Sequence, residues 1–101
     1  MVPNVRVKIR FFTSLREIVG KREETLSFPQ GEKVTVNLVL KALAKEYGDS
    51  FTNYVFSLET SQPKGFLQFL VNGTSTSIQK GLETEMKDGD VLAILPPVGG
   101  G

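Results

Sequence analysis

Val5-Arg6-Val7-Lys8-Ile9-Arg10-Phe11 alternates apolar and basic residues without interruption. Successive side chains of a strand point to opposite faces, so Val5, Val7, Ile9 and Phe11 share one face and Arg6, Lys8 and Arg10 the other. The stretch therefore predicts a strand with one buried and one solvated face, which belongs to a partly open sheet. A solvated face accounts for the basic row, and an acidic partner is the alternative use for it. Moving outward, Ser14 and Glu17 have capping-box spacing and Gly20 is a stop, which predicts a short helix over 14–19. Glu24-Thr25-Leu26-Ser27-Phe28 alternates again as a second strand, closed by Pro29-Gln30-Gly31.

Thr35 is an acceptable N-cap for a longer helix that runs to Tyr47 before Gly48. Val36, Val39, Leu40, Leu43 and Tyr47 recur at three- and four-residue spacing and form one face, with Asn37, Lys41 and Lys45 towards the other. Residues 49–65 mix polar residues with Phe51, Tyr54, Phe56 and Leu58, and read as a semi-ordered connection tacked down by its aromatics. Phe66 to Val71 reads as a strand ending in the turn pair Asn72-Gly73. Both of its phases are apolar, so either both faces are covered or Phe66 and Leu70 belong to an exposed docking patch. Lys80-Gly81 and Asp88-Gly89 mark further turns, and Val91-Leu92-Ala93-Ile94-Leu95 reads as a central strand. Together these elements predict an α+β fold with one long helix packed on a mixed sheet.

After Leu95 come Pro96-Pro97-Val98-Gly99-Gly100-Gly101. The prolines cannot donate ladder hydrogen bonds and so end the sheet. The glycines have no side chain to obstruct a narrow channel. Extended at about 3.3 Å per residue, the segment reaches about 20 Å, enough to bring a terminal carboxylate into another protein's active site. A frayed terminus is the alternative explanation for such an ending, and the run of three glycines favours the functional one. The expected division is a folded domain over 1–95 and a flexible reactive tail over 96–101.

The 101 residues suit one domain, and with 40% hydrophobic residues, 23% charged and net charge +1 they read as a soluble globular protein. The basic excess of a nucleic-acid binder is missing, as is any apolar run of membrane-spanning length. Met1-Val2-Pro3-Asn4 leads straight into a strand pattern, so the expected location is the cytoplasm. With no Cys and no His, thiol nucleophiles, thiolate or imidazole metal sites and a Ser-His-Asp triad are excluded. Asp88-Gly89-Asp90 is a tight acidic pair, and a turn explains it better than a metal site.

The chain resembles the β-grasp sulfur carriers, and within them the MoaD group of molybdopterin synthase small subunits. The resemblance spans Val7-Lys8-Ile9-Arg10-Phe11-Phe12-Thr13-Ser14-Leu15-Arg16-Glu17-Ile18-Val19-Gly20, Leu70-Val71-Asn72-Gly73, Leu82 and Lys87-Asp88-Gly89-Asp90-Val91. Its most specific part is Pro96-Pro97-Val98 before Gly100-Gly101; the paired glycines alone are shared with ThiS and ubiquitin-like modifiers. Gly99 stands where the group often has Ala or Ser, which loosens the tail slightly. The resemblance implies a ubiquitin-like β-grasp fold and a sulfur carrier that is not catalytic alone. A MoeB-like enzyme using ATP would adenylate the Gly101 carboxylate, and a sulfur donor would convert it to a thiocarboxylate. A MoaE-like large subunit would then accept the tail and sulfurate a pterin precursor. Gly100 would keep the channel clear, Pro96 and Pro97 would stiffen the exit, and Phe12, Phe66 and Leu70 would contribute to docking. No bound cofactor or metal, no nucleic acid and no membrane partner is implied. A protein modifier, or a carrier for tRNA thiolation, begins with the same adenylate and remains the alternative; a non-catalytic β-grasp interaction domain is a third.

Overall fold

A computed structural model describes residues 4–96. Pro97, Val98, Gly99, Gly100 and Gly101, to which the tail reading assigns the chemistry, lie outside the described residues. The five strands are β1 (Val5–Phe11), β2 (Glu23–Phe28), β3 (Gln68–Val71), β4 (Thr74–Ser75) and β5 (Val91–Leu95), and the helices are α1 (Ser14–Val19), α2 (Val36–Tyr47) and α3 (Asp49–Val55). The sheet order is β2-β1-β5-β3-β4. β1 is antiparallel to β2 and parallel to β5, and β5 is antiparallel to β3. The last strand thus takes the centre of the sheet beside the first, an arrangement that needs a long crossover, which the helices supply. This is a ubiquitin-like β-grasp, as the resemblance implied.

The inward phase of β1 behaves as its alternation requires: Val7, Ile9 and Phe11 are buried, and Arg6, Lys8 and Arg10 are exposed. They share a single core with Leu92 and Ile94 of β5 and Val36, Val39, Leu40 and Leu43 of α2. Thr35 caps α2, its hydroxyl accepting a hydrogen bond from the Leu38 N–H at 3.1 Å. The hairpin β3–β4 turns through Asn72 (φ 52°) and Gly73 (φ 85°), the two left-handed positions that Asn-Gly is suited to occupy.

Two expectations fail locally. The helix over 14–19 forms and stops at left-handed Gly20, but without a capping box. Thr13, at φ 48°, occupies the N-cap position with no side-chain cap, and Ser14 is already helical. The sharp exit from β1 shifts the boundary by one residue and removes the reciprocal geometry that Ser14 and Glu17 need. More substantially, the connection over 49–65 contains a seven-residue helix, α3. Gly48 adopts φ 76°, ψ −149°, a conformation that is essentially glycine's alone. It lets α2 end and α3 begin with no intervening loop. Phe51 and Val55, four residues apart, then bury one face of α3 in the core. Phe56 is buried too, but Leu58, expected to help hold the segment down, is 86% exposed.

One titratable cluster joins the α2 C-terminus to the edge strand. The Tyr47 hydroxyl donates to Glu24 Oε1, and Lys21 Nζ lies 3.6 Å from the same carboxylate. The Tyr47 ring meets Phe11 edge-on, with centroids 6.2 Å apart. Glu24 has only 11% of its side chain exposed. Burial, then the hydrogen bond and charge of neighbouring Glu46, raise its pKa above the ordinary 4.5, against the opposing pull of Lys21. A carboxyl with a raised folded-state pKa stabilises the fold while protonated, and that contribution is lost as pH rises through the folded value. Glu24→Gln keeps an acceptor for Tyr47 without the charge. Its melting temperature relative to wild type is therefore expected to increase between pH about 4 and about 7. Parallel melting curves over that range would show that Glu24 does not titrate out of register with the unfolded chain.

Candidate functional site: the open sheet face and the end of the last strand

The strand register defines what the uncovered face of the sheet carries. One row runs Glu23, Arg10, Ala93, Leu70 and Ser75 across all five strands; the next runs Thr25, Lys8 and Val91. β1 therefore lays down cations, while its neighbour β5 lays down Val91, Ala93 and Leu95. These β5 residues are half-buried, in contrast to the fully buried Leu92 and Ile94 of the same strand. The continuous apolar run of β5 thus has one phase in the core and one on an open aliphatic strip. Leu70 extends the strip on β3.

Phe12 and Phe66 stand at the end of the sheet where β5 finishes. Phe12 is half-buried beneath Arg10, whose guanidinium carbon is 5.8 Å from the ring centroid. Phe66 is 48% exposed, with Lys64 Nζ 6.0 Å from its ring. Phe66 lies in the turn before β3, not in the strand itself: Leu67 N–H donates to the Lys64 carbonyl at 3.2 Å. Lys64 ties this turn to α3 through its backbone N–H on Val55 and its ammonium on the Asn53 carbonyl, at 2.8 and 2.7 Å. Phe12, beneath the outward Arg10, and Leu70, opposite Ala93, share the face of the outward β5 residues, whereas Phe66 lies in the turn before β3; Leu70 takes the partly exposed arrangement of the two left open for β3. Pro96, half-buried, immediately follows β5 at this end.

At the opposite end, Asp88 and Asp90 act as backbone acceptors. Asp88 Oδ1 accepts from Arg6 N–H at 2.8 Å; Asp90 accepts from Lys87 N–H at 2.8 Å and from the Asn72 side-chain amide at 3.0 Å. Asn72 completes the link by accepting from Val91 N–H at 3.0 Å. These contacts pin the start of β5, so the acidic pair has the turn role that its spacing favoured.

Sequence reading missed the outward β5 residues Val91, Ala93 and Leu95. Their signal was the phase of β5 relative to β1, which only the parallel register supplies. It also passed over Arg16 of α1, whose Nε is buried without a hydrogen-bond partner among the described residues. A cavity of about 320 Å³ opens between α2 and the segment after α3, lined by Lys41, Ala44, Thr52, Phe56 and Leu58; none of its lining residues belongs to the sheet face. Among the described residues no helix is long and apolar enough to cross a membrane.

The sequence signature of the ThiS family matches residues 9–101. Small archaeal modifier protein 3 of Haloferax volcanii is 31% identical over 97 residues, covering 96% of this chain and 100% of that protein. The solution structure of small archaeal modifier protein 1 from Methanosarcina acetivorans superimposes with a TM-score of 0.81 at 33% identity, covering 98% of this chain and 99% of the other. A putative molybdopterin converting factor subunit 1 from Pyrococcus furiosus does so with a TM-score of 0.70 at 29% identity, covering 93% and 99%. The fold, the matched length through the final glycines and these neighbours agree: the chain belongs to the ThiS family, among the ubiquitin-like β-grasp sulfur carriers and modifiers.

Proposed function

We propose that this protein carries sulfur on the C-terminal carboxylate of Gly101 and, as the small subunit of a molybdopterin synthase, delivers it to a pterin precursor. The observation that carries the reading is the family match through Gly101, on a chain whose last strand ends beside an open apolar face. A carboxylate is a poor acyl donor until its oxygen becomes part of a good leaving group. A MoeB-like enzyme would supply that activation: the Gly101 carboxylate oxygen attacks the α-phosphorus of ATP and pyrophosphate departs. A donor that delivers sulfur at the hydrosulfide level then attacks the acyl carbon, AMP departs and a proton is released, leaving the thiocarboxylate. The carrier's own chemistry requires none of the Cys or His side chains it lacks. Phe12, Phe66 and Leu70 would dock the large subunit, with Pro96 and Pro97 stiffening the exit and Val98, Gly99 and Gly100 threading the channel.

Similarity to two archaeal modifier proteins favours a second use of the same adenylate, attachment of Gly101 to a target lysine; sulfur supply for tRNA thiolation would share the activation step. Intact mass after incubation with ATP, the adenylating enzyme and a sulfur donor tests the common step. Acceptor choice separates the uses. Thiocarboxylated protein plus a MoaE-like subunit is expected to convert the pterin precursor, two carriers serving each large-subunit dimer, with an apolar sheet surface and the tail buried together. Failure to bind such a subunit, alongside ATP-dependent attachment to lysines of other proteins, would establish the modifier use instead.

A further inference from the structure

An asparagine converts to aspartate or isoaspartate when the backbone nitrogen of the next residue attacks its side-chain carbonyl, and a following glycine offers that nitrogen with no side chain in the way. Asn4, Asn37 and Asn53 precede the bulkier Val5, Leu38 and Tyr54; Asn72 precedes Gly73. The turn leaves the attacking group free. Asn72 is exposed, the Gly73 N–H donates to no acceptor among the described residues, and the space where a Cβ would stand on Gly73 is open to 4 Å. Asp88-Gly89, which could cyclise in the same way, differs: its Gly89 N–H is held on the Arg6 carbonyl at 2.8 Å. At Asn72 the held group is instead the carboxamide. Its Nδ2 donates to Asp90 Oδ1 and its Oδ1 accepts from the Val91 N–H, both at 3.0 Å, so turning Cγ towards Gly73 breaks both bonds. This clasp joins the tip of the β3–β4 hairpin to the first residue of β5, and it opens when that strand end loosens.

We infer that Asn72 is a deamidation site gated by β5: closed while the carboxamide is clasped, open when the start of β5 lets go, and locked open once reaction has occurred. On opening, the Gly73 nitrogen bonds to Cγ and yields its proton to solvent; the Cγ–Nδ2 bond breaks and ammonia departs, leaving a succinimide. Water then opens the ring, giving aspartate by attack at the side-chain carbonyl and isoaspartate by attack at the main-chain carbonyl. Aspartate puts a carboxylate where a donor faced Asp90, and two carboxylates at hydrogen-bond distance strongly disfavour joint ionisation. Isoaspartate also lengthens the backbone of the turn by a methylene. Neither product can close the clasp again, so a passing opening becomes a lasting one. The site lies at the opposite end of β5 from the tail, and its chemistry does not depend on what Gly101 carries.

Incubation of the full chain at neutral pH, folded and in guanidinium chloride, with peptide mass and isoaspartate assays at Asn72, tests the gate. Two hydrogen bonds, one to a charged acceptor, guard the folded site, so conversion there is expected to be about 10- to 100-fold slower than in the denatured chain. Asp90→Ala is expected to raise the folded rate about 10-fold. Asp88→Ala, which removes an acceptor from the same turn without touching Asn72, should stay within about 2-fold of wild type. Asn72→Asp should melt about 5–15 °C below wild type. Asn72→Asp/Asp90→Asn, which exchanges amide and acid across the clasp, should recover most of that loss. Equal rates in the folded and denatured wild-type chain, or a folded Asp90→Ala variant no faster than wild type, would overturn the gate. Faster conversion at Asn4, Asn37 or Asn53 in the denatured chain would overturn the choice of site. A wild-type melt for Asn72→Asp, or no recovery in the exchanged pair, would overturn the lock.

Discussion

Deletion of Gly101, or addition of one alanine after it, is expected to abolish thiocarboxylate formation and sulfur transfer while leaving the thermal melt unchanged. The reason is positional. One residue moves the chain end by about 3.3 Å, and a misplacement of about 1 Å at a reacting centre can cost on the order of 100-fold in rate. The fold should be indifferent, because β5 is held by pairing to β1 up to Ile94 and to β3 up to Leu95, and terminal residues beyond such an anchor carry few stabilising contacts. Gly100→Val separates access from chemistry. It retains the carboxylate but places a β-branched side chain where a bare backbone would pass, so it too is expected to melt like wild type and fail in transfer. ATP-dependent thiocarboxylate formation and transfer by each variant provide the measurement. Wild-type transfer from the protein lacking Gly101 would defeat the carrier reading.

The second large effect concerns the core. Leu43 has no exposed surface and sits in one cluster with Ile9, Phe11, Leu92 and Ile94. Truncation removes its transfer free energy and leaves a cavity, so Leu43→Ala is expected to cost about 2–5 kcal/mol. That is a large fraction of the roughly 5–15 kcal/mol by which a domain is stable. A fall in melting temperature on the order of 10–30 °C follows for a domain of this size. Lys41→Ala, exposed on the same helix, should change stability by less than about 0.5 kcal/mol. An unchanged unfolding midpoint and slope for Leu43→Ala would remove the support for packing α2 on the sheet.

The two outcomes draw on different levels of the molecule. The core effect was legible from spacing alone, since Val36, Val39, Leu40 and Leu43 can share a face only in a helix. α3 was not legible because its hydrophobic signal is one short pair, Phe51 and Val55, interrupted by polar residues, and its start depends on the special conformation of Gly48. The residues proposed to dock a partner were half legible. Two apolar phases in one strand reveal that something must cover or use the second, but the residues themselves do not say which.

Local pattern by itself determined β1, β2, α2, the Asn72-Gly73 turn and the central, apolar character of β5, because side-chain periodicity follows from backbone geometry over a few residues. It also determined the inventory: an ending of Pro96-Pro97 and three glycines, and neither Cys nor His. Only the tertiary structure decided that β5 runs parallel to β1 with Lys8 opposite Val91 and Arg10 opposite Ala93, residues more than 80 positions apart in the chain. Register between distant strands is set by the packing of the whole core, since a slip of one residue would turn every buried side chain to the other face. That register turns an alternating strand and an apolar strand into one surface, with charge on one side, aliphatic side chains on the other and the end of β5 at its margin.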